Sequence, residues 1–160
     1  MDTLFSYVAE QYRLVQESRS ILFDYCGTIA PDDFVKGNTS FGRGGSIRNL
    51  LVHIANVYEY WIGQQALHEA LAITNYASNT TIADVIELFK QVDTRMQKFM
   101  QCFNTLDTKN IQYELNGVKT STSPLKLFTH VITHEFHHKG QILSISRHIG
   151  YTPIDTDIIR

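Results

Sequence analysis

The chain has little of what marks several common classes of protein. It contains three prolines and nine glycines in 160 residues, which excludes collagen-like and low-complexity sequences. No apolar run approaches the roughly 18 residues of a membrane-spanning helix. The first residues show neither a basic segment nor a long apolar segment of the secretory type. The sequence therefore predicts no membrane span, no export signal and a cytoplasmic location.

Charge is also sparse, and its two signs nearly balance. Charged residues make up 19% of the chain, with 14 basic side chains against 16 acidic ones. Proteins that bind nucleic acid directly usually carry a basic patch, and no dense run of lysine and arginine is present here. We therefore expect neither nucleic acid nor a membrane as a direct partner. The 43% of apolar residues excludes disorder, and the length suits one domain over residues 1–160.

Cysteine is nearly absent. Cys26 and Cys102 lie far apart in the chain, in apolar surroundings, and form no CxxC motif. This pattern predicts two buried reduced thiols rather than a disulfide or a cysteine-ligated metal.

Apolar residues recur at helical spacing in four stretches of the sequence. Serine and threonine, which cap helices well, precede the last three of them. The glycine-rich residues 36–45 lack the order of a phosphate-binding loop and predict a flexible connection. Residues 30–33 predict a turn. The predicted helices run from Thr3 to Cys26, from Ser46 to about His68, from Thr81 to about Phe103, and from Pro124 to about Ile149.

A short segment between the third and fourth helices has a different pattern. Apolar and polar residues alternate from Ile111 to Thr120, and Asn116-Gly117 is a strong signal for a type I′ turn. A hairpin of this size is marginal alone, so it should pack on the helices. The sequence predicts an all-α fold, a four-helix bundle with a small β-hairpin between helices three and four.

Most of the histidines are concentrated in the last predicted helix, and this concentration indicates a functional site there. Five of the seven histidines lie between His130 and His148. His134 and His138 are one helical turn apart, so their side chains can converge on one metal ion. Apolar residues on the same side of the helix indicate that this face points into the bundle. Neutral imidazoles bound to a metal are tolerated there, whereas charged ones are costly.

A third histidine lies on another helix. His53 occurs among Leu50, Ile54 and Val57, on or beside the buried face of the second helix. A lone histidine in such a position usually makes an ordinary hydrogen bond. Bundle cores commonly build metal sites from facing helices, however, so His53 is the candidate third ligand beside the His134 and His138 pair.

The order of these motifs resembles the DNA-damage-inducible DinB/YfiT-like family. The resemblance covers nearly the whole chain. It rests on His53 within Leu-Leu-Val-His-Ile-Ala, on Trp61, on the run His130-Val-Ile-Thr-His-Glu-Phe-His-His-Lys-Gly-Gln141, and on Gly150 and Pro153.

This resemblance implies a four-helix bundle that holds one divalent ion, zinc, nickel or iron, through His53, His134 and His138, with water in the remaining positions. It implies a metal-dependent transferase or isomerase that uses a low-molecular-weight thiol, or a hydrolase. The expected partner is therefore a small-molecule substrate, a thiol being one candidate, and a homodimer is a candidate assembly. The family name refers to damage-inducible expression and implies no DNA binding. The alternative within the same ligand set is a non-catalytic bundle that the ion merely stabilises.

The histidine-rich sequence of the last helix also allows a second interpretation. His134-Glu135-x-x-His138 matches the zinc-protease motif, with Glu135 as general base. Three features argue against a protease: there is no predicted active-site strand beside the helix, no third ligand at the metzincin spacing, and no extended edge to hold a peptide. A structural role for Glu135, pairing with Lys139 one turn away, is the favoured expectation.

Other polar and aromatic residues lie near the predicted ligands. His130 is expected either to support the ligands or simply to pack, and His137 to line a pocket or to be exposed. Gln141 is expected to form an interhelical hydrogen bond or to contact a ligand or a bound water. Trp61 is expected in the core. Residues that follow His53 on the second helix are candidates to line a pocket: Asn56, Tyr60 and Gln64.

Overall fold

Five α-helices and one β-hairpin make up the part of the chain that the structure, a computed structural model, describes: residues 3–37, 45–101, 103 and 110–160. The helices are α1 (Thr3–Cys26), α2 (Pro31–Val35), α3 (Ile47–Tyr58), α4 (Ile82–Gln101) and α5 (Pro124–His148). A π-helical segment (Glu59–Ala66) continues α3, and a 3₁₀ turn (Tyr76–Ser78) precedes α4. Strands β1 (Ile111–Leu115) and β2 (Val118–Thr122) form the hairpin.

The helix starts follow from local capping chemistry. The Ser46 side chain accepts a hydrogen bond from the backbone N–H of Asn49. Ser123 does the same for Lys126, with Pro124 in the first turn of α5. These bonds satisfy backbone donors that have no partner within the helix. Asp84 and Thr81 cap α4 reciprocally, each side chain accepting from the other's backbone N–H.

Two predicted elements differ in the structure. The second predicted helix is α-helical only to Tyr58, and the rest is the π-helical segment, in which Leu67 N–H donates to the Ile62 carbonyl, five residues back. The turn predicted at residues 30–33 is instead the start of α2, because the Ala30 carbonyl accepts from Phe34 N–H. Residues 38–44 of the predicted loop, and Cys102, lie outside the described residues. Cys26 is buried, as predicted.

The long helices bury their apolar stripes against one another. Helix α3 contacts α4 and α5, and α1 contacts the same two helices. Aromatic rings also meet edge-to-face between helices: Phe23 of α1 with Phe89 of α4, and Tyr12 of α1 with Tyr58 of α3. The mostly helical fold with a small hairpin is therefore confirmed. No helix in the described ranges is long and apolar enough to cross a membrane.

The hairpin packs against the π-helical segment. Its turn has positive φ at both central residues, 52° at Asn116 and 78° at Gly117, as a type I′ turn requires. The Tyr113 ring on β1 meets the Trp61 ring with centroids 5.0 Å apart. The Tyr60 hydroxyl donates to the Glu114 carbonyl at 3.3 Å. The predicted hairpin thus gains the tertiary support that a two-stranded sheet needs.

A buried ion pair ties α5 to α1. The Arg19 guanidinium donates two hydrogen bonds to the Glu135 carboxylate, both at 2.9 Å, and both residues are almost fully buried. The Tyr58 hydroxyl of α3 donates to the same carboxylate at 2.7 Å. Arg19 also donates to Asp93 on α4 at 2.7 Å. One cation and its partners therefore connect all four long helices.

Glu135 has the structural position that was expected, but its direct partner is Arg19 rather than Lys139. Lys139 lies one turn further along α5, but its ammonium donates to the Ser18 hydroxyl on α1 at 2.5 Å. Ser18 in turn donates to the carbonyl of Thr156 in the C-terminal segment. A bidentate bond to a guanidinium satisfies a buried carboxylate better than a single lysine does, so Arg19 takes the position opposite Glu135.

We expect Glu135→Gln to lower the free energy of unfolding by about 3 kcal/mol, because it leaves the buried Arg19 cation without its main counter-charge. Urea unfolding measures this change. Glu87→Gln is the matched control, since it makes the same chemical change at a solvent-exposed ion pair with Lys90. Equal effects of the two substitutions would contradict the structural role of Glu135.

Candidate metal centre

Packing of α3 against α5 brings three histidines together. The ring of His53 on α3 has its centroid 5.1 Å from that of His134 and 4.7 Å from that of His138. One ring nitrogen of each histidine lies within 4.8 Å of the other two. Three residues that are separated by up to 85 positions in the sequence therefore present their nitrogen atoms to one small volume.

The two histidines of α5 already have the spacing of metal ligands. Their Nε2 atoms are 3.2 Å apart. Two nitrogens bound to zinc at 2.0–2.1 Å in a tetrahedral arrangement would be about 3.4 Å apart. The helical repeat permits this separation, because residues four apart project from the same side of a helix.

Gln141 orients one of the three rings. Its Oε1 lies 2.7 Å from His138 Nδ1. With the proton on Nδ1, the imidazole donates to this oxygen, and the lone pair of Nε2 faces His134. Such a hydrogen bond to the second nitrogen is a common feature of metal-binding histidines. Gln141 was expected either to contact a ligand or to form a hydrogen bond between helices. The structure shows the first, a contact with His138 on the same helix.

The environment of His134 keeps its imidazole neutral. Burial, and then the neighbouring rings of His138 and His53, lower the pKa of His134 from 6.5 to about 3. Its Nδ1 is buried and makes no hydrogen bond. A neutral histidine is the form that binds a metal, so this residue is ready to act as a ligand at neutral pH.

The donor set fits a divalent transition metal. Imidazole nitrogen suits zinc, nickel and iron. Within the described residues the group comprises the three histidines and includes no carboxylate or thiol. Three protein ligands with room for another are typical of catalytic metal sites, whereas structural zinc sites usually have four protein ligands.

Two of the expected pocket residues hold a loop. The Asn56 side-chain amide donates to the Thr74 carbonyl at 3.0 Å and accepts from Thr74 N–H at 2.9 Å. Gln64 donates to the carbonyl of Leu71 at 2.7 Å. Both residues bind backbone groups of the connection to α4, so the structure gives them a role in fixing this connection.

The remaining neighbours lie around the histidine group. His130 is exposed; its ring centroid is 5.5 Å from that of Trp61 and 6.0 Å from that of His134. His137 is also exposed, with its ring 4.9 Å from that of His138. Trp61 is half-buried rather than fully in the core and lies between the Tyr60, Tyr113 and His130 rings.

Sequence reasoning missed the groups that hold α5 in place. Arg19 and Tyr58 both bind Glu135, the residue next to His134, and neither was singled out. The available signal was an arginine inside the apolar pattern of α1. Charged residues are rarely buried without a partner, so Arg19 implies a buried carboxylate on another helix, although the pattern cannot say which one.

Comparison with known proteins identifies the family of this chain. A model of the DinB family matches residues 1–160. The chain is also similar to the uncharacterized protein YizA of Bacillus subtilis (strain 168), with 26% identity over 144 residues, which cover 86% of this chain and 84% of that protein. A match over the full length of the sequence establishes the family, and the chain belongs to the DinB family.

Proposed function

We propose that His53, His134 and His138 hold one divalent metal ion, and that the protein uses this ion to activate a low-molecular-weight thiol or water in a transfer or hydrolysis reaction. The observation that carries the proposal is the convergence of three ring nitrogens from two helices within 4.8 Å. The ion would be zinc, nickel or iron, and the partner a small molecule.

The state of the histidines supports a metal over an ordinary hydrogen-bonded cluster. Each of the three histidines has one ring nitrogen within 4.8 Å of such a nitrogen on the other two. Three imidazoles in contact also disfavour protonation, as the low pKa of His134 reflects. A bound cation would turn this close grouping of lone pairs into a favourable interaction.

The ligand set supports activation of a substrate. A divalent ion with three neutral ligands would keep its positive charge and would lower the pKa of a thiol or water that binds it. Gln141 fixes the ring of His138, and α3 and α5 hold the histidine backbones on rigid elements. A coordination position that the three histidines leave unfilled would be available to such a molecule.

The protease interpretation loses its base. Glu135 is 1% exposed, and its carboxylate accepts two hydrogen bonds from Arg19 and one from Tyr58. A general base must reach a water molecule beside the metal, and a carboxylate bound in this way faces α1 and α3. A purely stabilising ion is the remaining rival, and the absence of a fourth protein ligand within the described residues argues against it.

We expect single His53→Ala, His134→Ala and His138→Ala substitutions each to reduce the metal content of the purified protein from about one ion per chain to near zero, because each removes one of three ligands. Elemental analysis by mass spectrometry measures the metal content. His137→Ala is the matched control, since His137 adjoins His138 but is not part of the three-histidine group.

Loss of metal in His137→Ala combined with retention in His138→Ala would show that the ligand set is wrong. Circular dichroism spectra of the variants separate a lost ligand from a lost fold. A folded variant without metal is the expected result for each of the three ligands.

Thiol binding tests the proposed activity. With Co(II) in place of the native ion, addition of a low-molecular-weight thiol should produce a sulfur-to-metal charge-transfer band in the near ultraviolet, because an open position accepts a thiolate. An alcohol of the same size, which is a much poorer ligand for a soft site, is the control. An unchanged spectrum with several thiols would contradict the thiol-activating function.

Proteolysis separates the rival chemistry. We expect the metal-loaded protein to leave unfolded casein intact, because Glu135 is engaged by Arg19. Cleavage that Glu135→Gln abolishes, while the circular dichroism spectrum of the variant stays native, would favour the protease. A protein that binds no thiol and cleaves no casein, but melts at a lower temperature after chelation, would favour the stabilising ion.

A further inference from the structure

A cavity of about 180 Å³ lies beside the histidine group, and none of the three predicted metal ligands lines it. It is bounded by the hairpin, the π-helical segment and the first two turns of α5. Its lining includes Trp61, Tyr113, Leu115, Thr122, Lys126 and His130.

The size and lining of the cavity suit a single ring. An apolar cavity of roughly 150 Å³ is large enough to bind benzene. The Trp61 and Tyr113 rings meet edge-to-face at 5.0 Å on one side of this cavity, and Leu115 adds apolar surface. Aromatic side chains in such an arrangement favour contact with the face or edge of another ring.

One end of the cavity carries positive charge. Lys126 is exposed and lies in the first turn of α5, where the helix dipole is also positive. A cation at this position disfavours the helix slightly, so helix stability does not explain it. Among the described residues, the ion pairs do not include Lys126. The carboxylate of Glu114 follows Tyr113 on β1 and therefore points to the other face of the hairpin, where Lys119 is its cross-strand neighbour.

The other end of the cavity approaches the metal ligands. Lys126, His130 and His134 follow one another at intervals of four residues, with about 6 Å of rise between neighbours. The ring of His130 contacts both Trp61, which lines the cavity, and His134. His130 is thus a wall shared by the cavity and the histidine group.

We propose that this cavity binds a small molecule that has one aromatic or similarly sized apolar ring and a negatively charged group. The ring lies beside Trp61 and Tyr113, and the negative group lies at Lys126. The binding itself is independent of the metal. We also infer that this molecule is the substrate of the metal centre, and this second step rests on the proposed function.

Trp61 is the single tryptophan of the chain, so its fluorescence reports on this cavity directly. The experiment titrates the full chain as purified with phenylacetate, and with acetate and 2-phenylethylamine for comparison. We expect a saturable change with phenylacetate in the millimolar range and no saturable change with acetate. Binding of the amine should be about fivefold weaker, because an exposed charge contributes on the order of 1 kcal/mol.

Two pairs of variants test the placement. Lys126→Met should weaken phenylacetate binding about fivefold and abolish the preference over the amine, whereas Lys119→Met should change neither. Thr122→Phe should fill the cavity and abolish binding of both ring compounds. Ser121→Phe is its control, because Ser121 is exposed and alternation along β2 points it to the other face.

Absence of a saturable change up to about 10 mM phenylacetate would overturn the proposal, as would wild-type binding by Thr122→Phe with a native circular dichroism spectrum. Equal binding of the acid and the amine would overturn the role of Lys126. Metal content measured on the same samples is a separate readout. A protein that holds its metal but binds no ring compound refutes the cavity alone, and one that binds phenylacetate without holding metal refutes the metal centre alone.

Discussion

The buried ion pair between Arg19 and Glu135 fixes how α5 faces the other helices. A charge that is removed from water is tolerated only when its partners hold it in good geometry, and here Glu135 accepts from Arg19 on α1 and from Tyr58 on α3. Any rotation of α5 about its axis would break these bonds. Because His134 precedes Glu135 in the helix, the same constraint directs the histidine face of α5 toward His53.

Helix α5 therefore uses two adjacent polar faces for two purposes. Glu135 and Lys139 bind α1 through Arg19 and Ser18, which holds the helix in place. His134 and His138, a quarter turn or so away around the axis, meet His53 of α3. The division explains how an HExxH sequence can place its two histidines at one site and its glutamate in a buried ion pair.

Much of the fold could be predicted from the sequence, because its signals are local. Ser46 and the Ser123-Pro124 pair mark helix starts through bonds within one turn, and Asn116-Gly117 defines the hairpin. The π-helical segment could not be predicted, since a shift to bonds five residues apart changes no residue pattern. The partner of Glu135 could not be predicted for a related reason. The spacing of four residues that suggested Lys139 compares neighbours on one helix, whereas Arg19 lies 116 positions away.

The three-histidine group could be anticipated in part. The helical spacing pairs His134 with His138, whereas His53 entered through bundle reasoning and family resemblance. X-ray absorption at the edge of the bound metal tests this group most directly. The account predicts scattering from three imidazoles with nitrogen at about 2.0–2.1 Å, together with a lighter ligand that an added thiol replaces by sulfur at about 2.3 Å. A metal surrounded by oxygen ligands alone, or by fewer than two imidazoles, would contradict it.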